Sequence, residues 1–285
     1  MARAWSGAMD SASGIKASMI RPSASAQRRI LLLGGTTEAR LIAERLAGRG
    51  DIDLTVSLAG RTQNPLAVPG AVRSGGFGGA KGLAAYLAAE RFDALVDATH
   101  PFAAGISANA AEAARLAGLP FLALRRPAWQ PQRGDRWREA ADIPAALALI
   151  GAAPRRVFVT LGRNEVGAIE AAPQHAFLIR SIDPIVPRLK LSDARYIEAR
   201  GPFEEAAERA LLTEHRIEVI LAKNSGGAAS YGKLAAARVL GIEAVLIARP
   251  KLPDVPTVDR VDAVLEWMEH LGSGHQAAPP ARRGV

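Results

Sequence analysis

From Arg29 to about Leu271, short runs of consecutive apolar residues alternate with longer stretches whose apolar positions recur every three or four residues. The runs read as strands buried on both faces and the longer stretches as helices that cover them. Ile30–Leu33, Leu54–Leu58, Ala71–Arg73, Ala94–Ala98 and Phe121–Leu124 are the strands of a first unit, with helices predicted over Glu38–Ala47, Lys81–Glu90 and Ala103–Ala117. The stretch RRPAWQPQRGDRW at 125–137 breaks the alternation and reads as a crossover. Strands then resume at Val157–Leu161, Phe177–Ile182, Tyr196–Glu198, Val219–Ala222 and Ala244–Ile247, with helices at Glu204–His215, Ser230–Leu240 and Val258–Leu271. The pattern predicts an α/β protein of two halves, each a parallel sheet flanked by helices, with a cleft between them. A single continuous sheet is the alternative. The expected boundaries are 29–127 for the first half, 128–155 for the crossover and 156–271 for the second half. Residues 1–28 are expected to form a disordered extension and 272–285 a frayed tail, with Met9 and Met19 leaving a later start open.

Charge changes the picture only once it is located. The chain of 285 residues carries a formal +8, but residues 1–29 hold +4 of it and 272–285 hold +2. The body is nearly neutral, so nucleic-acid binding is not expected. There is no cysteine, which excludes disulfides, thiolate nucleophiles and Cys-based metal sites. The five histidines form no HExxH pair, and no protein-bound metal is expected. No apolar run is long enough for a membrane helix, and residues 1–28 lack the apolar core of a signal peptide, so the expected location is the cytoplasm. Tyr-x-x-x-Lys, G-x-S-x-G and Walker signatures are absent too.

The chemistry-bearing residues lie at strand ends. The first strand runs into Gly34-Gly35-Thr36-Thr37-Glu38, where glycines allow a tight turn and a capped helix start favours an anion such as a pyrophosphate. The second ends in Val56-Ser57-Leu58-Ala59-Gly60-Arg61, with no carboxylate for a ribose hydroxyl; Ser57 and Arg61 suit a 2′-phosphate instead, so the chemistry leans to NADP(H). Thr99 and His100 follow the fourth strand in Asp97-Ala98-Thr99-His100-Pro101, where His100 either donates a proton or hydrogen bond to a ligand or caps the helix. In the second half, Arg163, Arg180 and the run Lys223-Asn224-Ser225-Gly226-Gly227 could form a broad cationic wall for an acidic substrate. Trp129 and Trp137 either wall the cleft or pack at the junction.

The ordered series Leu33-Gly34-Gly35-Thr36-Thr37-Glu38-Ala39, Leu58-Ala59-Gly60-Arg61-Thr62, Asp97-Ala98-Thr99-His100-Pro101-Phe102-Ala103, Thr160-Leu161-Gly162-Arg163, Lys223-Asn224-Ser225-Gly226-Gly227 and Ile247-Ala248-Arg249-Pro250 resembles the precorrin-6A and cobalt-precorrin-6A reductase family of cobalamin biosynthesis. The resemblance spans about residues 29–270. It implies two Rossmann-like halves and an NADPH-dependent reduction of one macrocycle double bond, giving precorrin-6B from a polycarboxylate tetrapyrrole. Neighbouring enzymes of that pathway become candidate partners.

On this reading Gly34, Gly35, Thr36, Thr37 and Glu38 surround the pyrophosphate, Ser57 and Arg61 the 2′-phosphate, and Thr99 and His100 the nicotinamide end. Arg163, Arg180, Lys223, Asn224, Ser225 and Gly226 face the substrate, and His100 or solvent gives the proton. Two other classes compete. A non-catalytic NADP(H) sensor would not need the cationic loops of the second half. A methyltransferase would want a carboxylate where Arg61 stands.

Overall fold

The computed structural model describes residues 27–60 and 66–271. The first sheet is built from β1 (Arg28–Leu33), β2 (Ile52–Leu58), β3 (Ala71–Ser74), β4 (Ala94–Asp97) and β5 (Phe121–Leu124), with helices α1 (Thr37–Leu46), α2 (Gly79–Ala89) and α3 (Ala104–Ala117). The chain then makes β6 (Arg136–Ala140), α4 (Ile143–Ile150), β7 (Arg156–Thr160), β8 (Ala176–Ser181), β9 (Ala194–Glu198), α5 (Glu205–Glu214), β10 (Val219–Lys223), α6 (Gly232–Leu240) and β11 (Glu243–Ile247). It ends in β12 (Thr257–Val258) and α7 (Val261–His270). Two six-stranded sheets result, ordered β3-β2-β1-β4-β5-β12 and β9-β8-β7-β10-β11-β6. Every strand pair is parallel.

Central strands carry the cores because they are apolar on both faces. Leu31 and Leu33 of β1 face α2 and α3, while Ile30 and Leu32 face α1 and α7. Ala110, Ala113 and Ala114 of α3 are small enough to seat that helix directly on the sheet. The second sheet repeats the scheme: Val219 and Leu221 of β10 point to one core, Ile220 and Ala222 to the other.

Each sheet lends the other its edge strand. β6 pairs with β11, although the sequence places it in the crossover, and β12 pairs with β5, although it follows the second sheet in sequence. Helix α7, read from sequence as part of the second half, packs through Val264 and Met268 against the core beside α1. The chain therefore crosses between the sheets twice, at 125–135 and at 248–256. Both crossings leave from a fifth strand's carboxyl end, and this doubles the protein's connections at the point where ligand sites form in such sheets.

Candidate active site at the junction of the two sheets

The turn from β1 into α1 is shaped by close packing. A side chain at Gly34 would place its Cβ 3.1 Å from Val56 Cγ1, and Gly35 has φ +104°, a conformation that favours glycine. Thr36 caps α1: its hydroxyl accepts from the Ala39 N–H (3.1 Å) and donates to the Ala98 carbonyl (2.7 Å), tying the turn to the end of β4. Strands β1 and β4 leave their neighbours in opposite directions, so this is the sheet's topological switch point, where doubly wound folds bind ligands. Thr37 is exposed on the first turn, and Glu38 pairs with Arg126 at 2.6 Å. That pair cancels the one carboxylate that would otherwise repel an anion at the helix start.

At the end of β4, the fully buried Asp97 accepts from the Thr99 N–H (3.0 Å), the Thr99 hydroxyl (2.6 Å) and Arg125 (2.8 Å). These bonds fix the loop that presents His100. His100 Nδ1 accepts from the Phe102 N–H at 3.2 Å, which leaves the proton of the neutral ring on Nε2. Burial, then the charges of Arg126, Lys223 and Arg249, push the His100 pKa down to about 3. At neutral pH the ring is an uncharged hydrogen-bond donor, not an imidazolium acid.

The two carboxyl ends meet here. Phe102 packs against the core of the second sheet, and the Lys223 amine lies 4.8 Å from the centre of its ring while pairing with Glu165. Lys223 is thus at the junction. Its neighbours serve the scaffold instead. The Asn224 side chain accepts from the Trp129 N–H (2.9 Å) and donates to the Trp129 carbonyl (3.1 Å), and Trp129 Nε1 donates to Gly227. The Ser225 carbonyl receives both Arg126 and Arg249. A Cβ on Gly226 would fall 2.0 Å from the Pro127 carbonyl oxygen. Arg249 donates to four carbonyls, those of Asn224, Ser225, Arg126 and Pro127, and so ties the two crossings together. Arg163 is exposed on the loop after β7, two residues before Glu165.

Arg180 is a correction. Expected to face substrate, its guanidinium is buried, bound bidentately to Glu208 (2.5 and 2.9 Å) and placed between the rings of Phe158 and Phe203. It holds α5 against β8, and its guanidinium is turned to the buried Glu208 carboxylate and the two rings. The same cluster buries Lys233, whose amine donates to the Ser230 carbonyl at 2.6 Å and lies over Trp129. Burial, then Arg180, lower its pKa to about 7, with Glu208 opposing. Between about pH 7 and the ordinary lysine range the unfolded chain binds this proton and the folded one does not, so wild-type stability rises with pH across that window. Lys233→Met should remove this rise. It should also add roughly 1–2 kcal/mol near pH 7, the lower part of the gain for replacing buried charge because Ser230 loses a donor. Urea unfolding of both proteins at several pH values checks it.

Ser57 is buried at the end of β2, with Arg73 beside it; Arg61 lies outside the described residues. The sequence assigned no site role to Arg73, Arg125, Arg126 or Arg249, although Arg249 stands in one of the motifs that carry the family resemblance. A usable signal existed for Arg126 and Arg249: both fifth strands end in Arg-Pro, as Leu124-Arg125-Arg126-Pro127 and Ile247-Ala248-Arg249-Pro250. Among the described residues no cluster of His, Asp or Glu could hold a metal, and no helix is long and apolar enough to cross a membrane.

Fold and site define a doubly wound α/β protein whose two sheets share the 3-2-1-4-5 strand order of dinucleotide-binding folds, each with an exchanged strand in the sixth place, and meet at a cationic junction. The family model described as precorrin-6x reductase CbiJ/CobK matches residues 29–269, and the chain belongs to that family. A precorrin-6A reductase from a Sinorhizobium species is 52% identical over 253 residues, covering 89% of this chain and 97% of the relative. One from Rhodococcus erythropolis is 48% identical over 245 residues, covering 85% and 98%. A solved structure titled CobK precorrin-6A reductase aligns with a TM-score of 0.83 at 43% identity, covering 91% of this chain and all of that one (100%).

Proposed function

We propose that this chain is an NADPH-dependent reductase that converts precorrin-6A to precorrin-6B by saturating one carbon–carbon double bond. The observation that carries the reading is the junction itself, where a glycine turn and capped helix start open onto a loop region lined by Arg126, Lys223 and Arg249. When bound, NADPH supplies the hydride. The residues fit such a group: Gly34 and Gly35 let the backbone approach a pyrophosphate, and Thr36 leaves the first-turn N–H groups of Thr37 and Glu38 to receive it. A buried Arg125 Nη1, without a partner among the described residues, marks a donor awaiting a polar group behind the Thr99–His100 loop.

Each residue then has a task. Ser57 and Arg61 hold the 2′-phosphate, and Thr99 and His100 border the nicotinamide end, His100 through its Nε2–H. Lys223 and Arg163 meet substrate carboxylates, while Asn224, Ser225 and Gly226 hold that loop in place. With His100 neutral, the proton that completes the reduction comes from water. We assign the protein to the cytoplasm, where NADPH is at hand, and leave neighbouring pathway enzymes as candidate partners.

The test is to mix purified protein, NADPH and precorrin-6A and follow both NADPH absorbance and product mass. Loss of absorbance with a product heavier by one hydride and one proton supports the reading; no consumption overturns it. Arg61→Ala should raise the KM for NADPH by about tenfold while leaving NADH use nearly unchanged, and equal losses with both cofactors would remove Arg61 from the phosphate site.

A further inference from the structure

We infer that Arg73 is the pre-oriented cation that selects a phosphorylated ribose at the adenosine end of the cofactor. This rests on the reading that a nicotinamide dinucleotide lies across the first sheet. Arg73 and Ser57 are register partners on adjacent strands, so their side chains rise from the same face of the sheet near its carboxyl edge. The guanidinium lies 3.7 Å from the centre of the Phe77 ring. Its Nη1 donates to the Gly75 carbonyl (2.6 Å) and stands 3.4 Å from the Ser57 hydroxyl, and its Nη2 donates to the Gly76 carbonyl (2.6 Å). The Gly75 N–H in turn binds the Leu58 carbonyl (3.0 Å). Few rotamers are left to such a side chain, and binding would cost it little further ordering.

Its charge separates it from the other arginines at this edge. Arg125 is neutralised by Asp97 and Arg126 by Glu38, whereas Arg73 has no carboxylate partner among the described residues. Its contacts are neutral carbonyls, a hydroxyl and aromatic rings. A held but uncompensated guanidinium, beside a hydroxyl and one strand beyond β2, suits a phosphate monoester on the ribose. Gly60, where a Cβ would lie 3.8 Å from the Gly75 N, packs against the same loop.

The experiment is calorimetric titration of full-length wild type, Arg73→Met and Arg73→Lys with NADP⁺ and with NAD⁺, which needs no turnover. Methionine keeps the apolar stem over Phe77 and removes the charge. We expect wild type to prefer NADP⁺, and Arg73→Met to lose about tenfold in NADP⁺ affinity while NAD⁺ affinity stays within about twofold, with Arg73→Lys between them. Equal losses for both nucleotides would reduce Arg73 to a loop brace, and no loss for either would place it off the site; both overturn the inference and leave the dinucleotide reading intact. Wild type that binds neither nucleotide overturns both.

Discussion

Asp97→Asn should destabilise the protein by about 3–5 kcal/mol, the cost of removing one member of a buried ion pair. The carboxylate is wholly buried and takes three donors, two from Thr99 and one from Arg125. Asparagine has one acceptor oxygen. It can keep Thr99, but its amide then faces the Arg125 guanidinium, donor against donor. Arg125 is only 12% exposed and already has one nitrogen without a partner, so water cannot readily replace the lost charge. Urea unfolding should show the full loss. Thr99→Val, which deletes only a hydroxyl, should cost about 1 kcal/mol. If the two variants unfold alike, the Asp97–Arg125 pair is not what holds the loop under His100.

The legible parts of the fold were those whose burial is written in consecutive residues. Ile30–Leu33 and Val219–Ala222 are apolar throughout because both faces are covered, and they appear close to where they were expected. Strand β6 was missed because it is an edge: Arg136, Arg138 and Glu139 are exposed, so no apolar run announces it. Strand β12 has two residues, too few for any periodicity, and the exchange of edge strands depends on pairings between distant segments.

The site divides in the same way. Gly34, Thr36, Thr99, His100 and Lys223 could be singled out because parallel strands put all carboxyl ends on one side. Arg180 misled because the same residue type serves a cleft or a buried pair, and its partner Glu208 lies 28 positions away on another element. Asn224 and Gly226 follow Lys223 on the same loop yet are committed to Trp129 and Pro127, which only the crossing segments reveal. Arg126 was hidden for the converse reason, since it lies on a stretch that reads as a mere crossover, and Arg249 was quoted in a motif without a role.

Lys223→Met should lower kcat by about 100-fold with little change in the KM for NADPH. In the proposed reaction, negative charge would build on the macrocycle as its double bond is reduced, at an atom that the junction must face. Glu165 on one side and the Phe102 ring beneath hold Lys223 at the junction, so on the proposed function it would oppose that charge without reorganising, in addition to meeting a substrate carboxylate. The deletion leaves Glu165 unpaired, but that carboxylate is 41% exposed and water can serve it, so folding should be little affected. Lys223→Arg should recover much of the rate because it restores the charge. A second readout separates this from a packing effect. Burial is the main cause of the lowered His100 pKa and Lys223 is one of three cations that lower it further, so in Lys223→Met that pKa should rise part of the way, as an NMR titration of the ring would record. A slower enzyme with an unmoved His100 would mean that the lysine acts by holding the loop and not through its field.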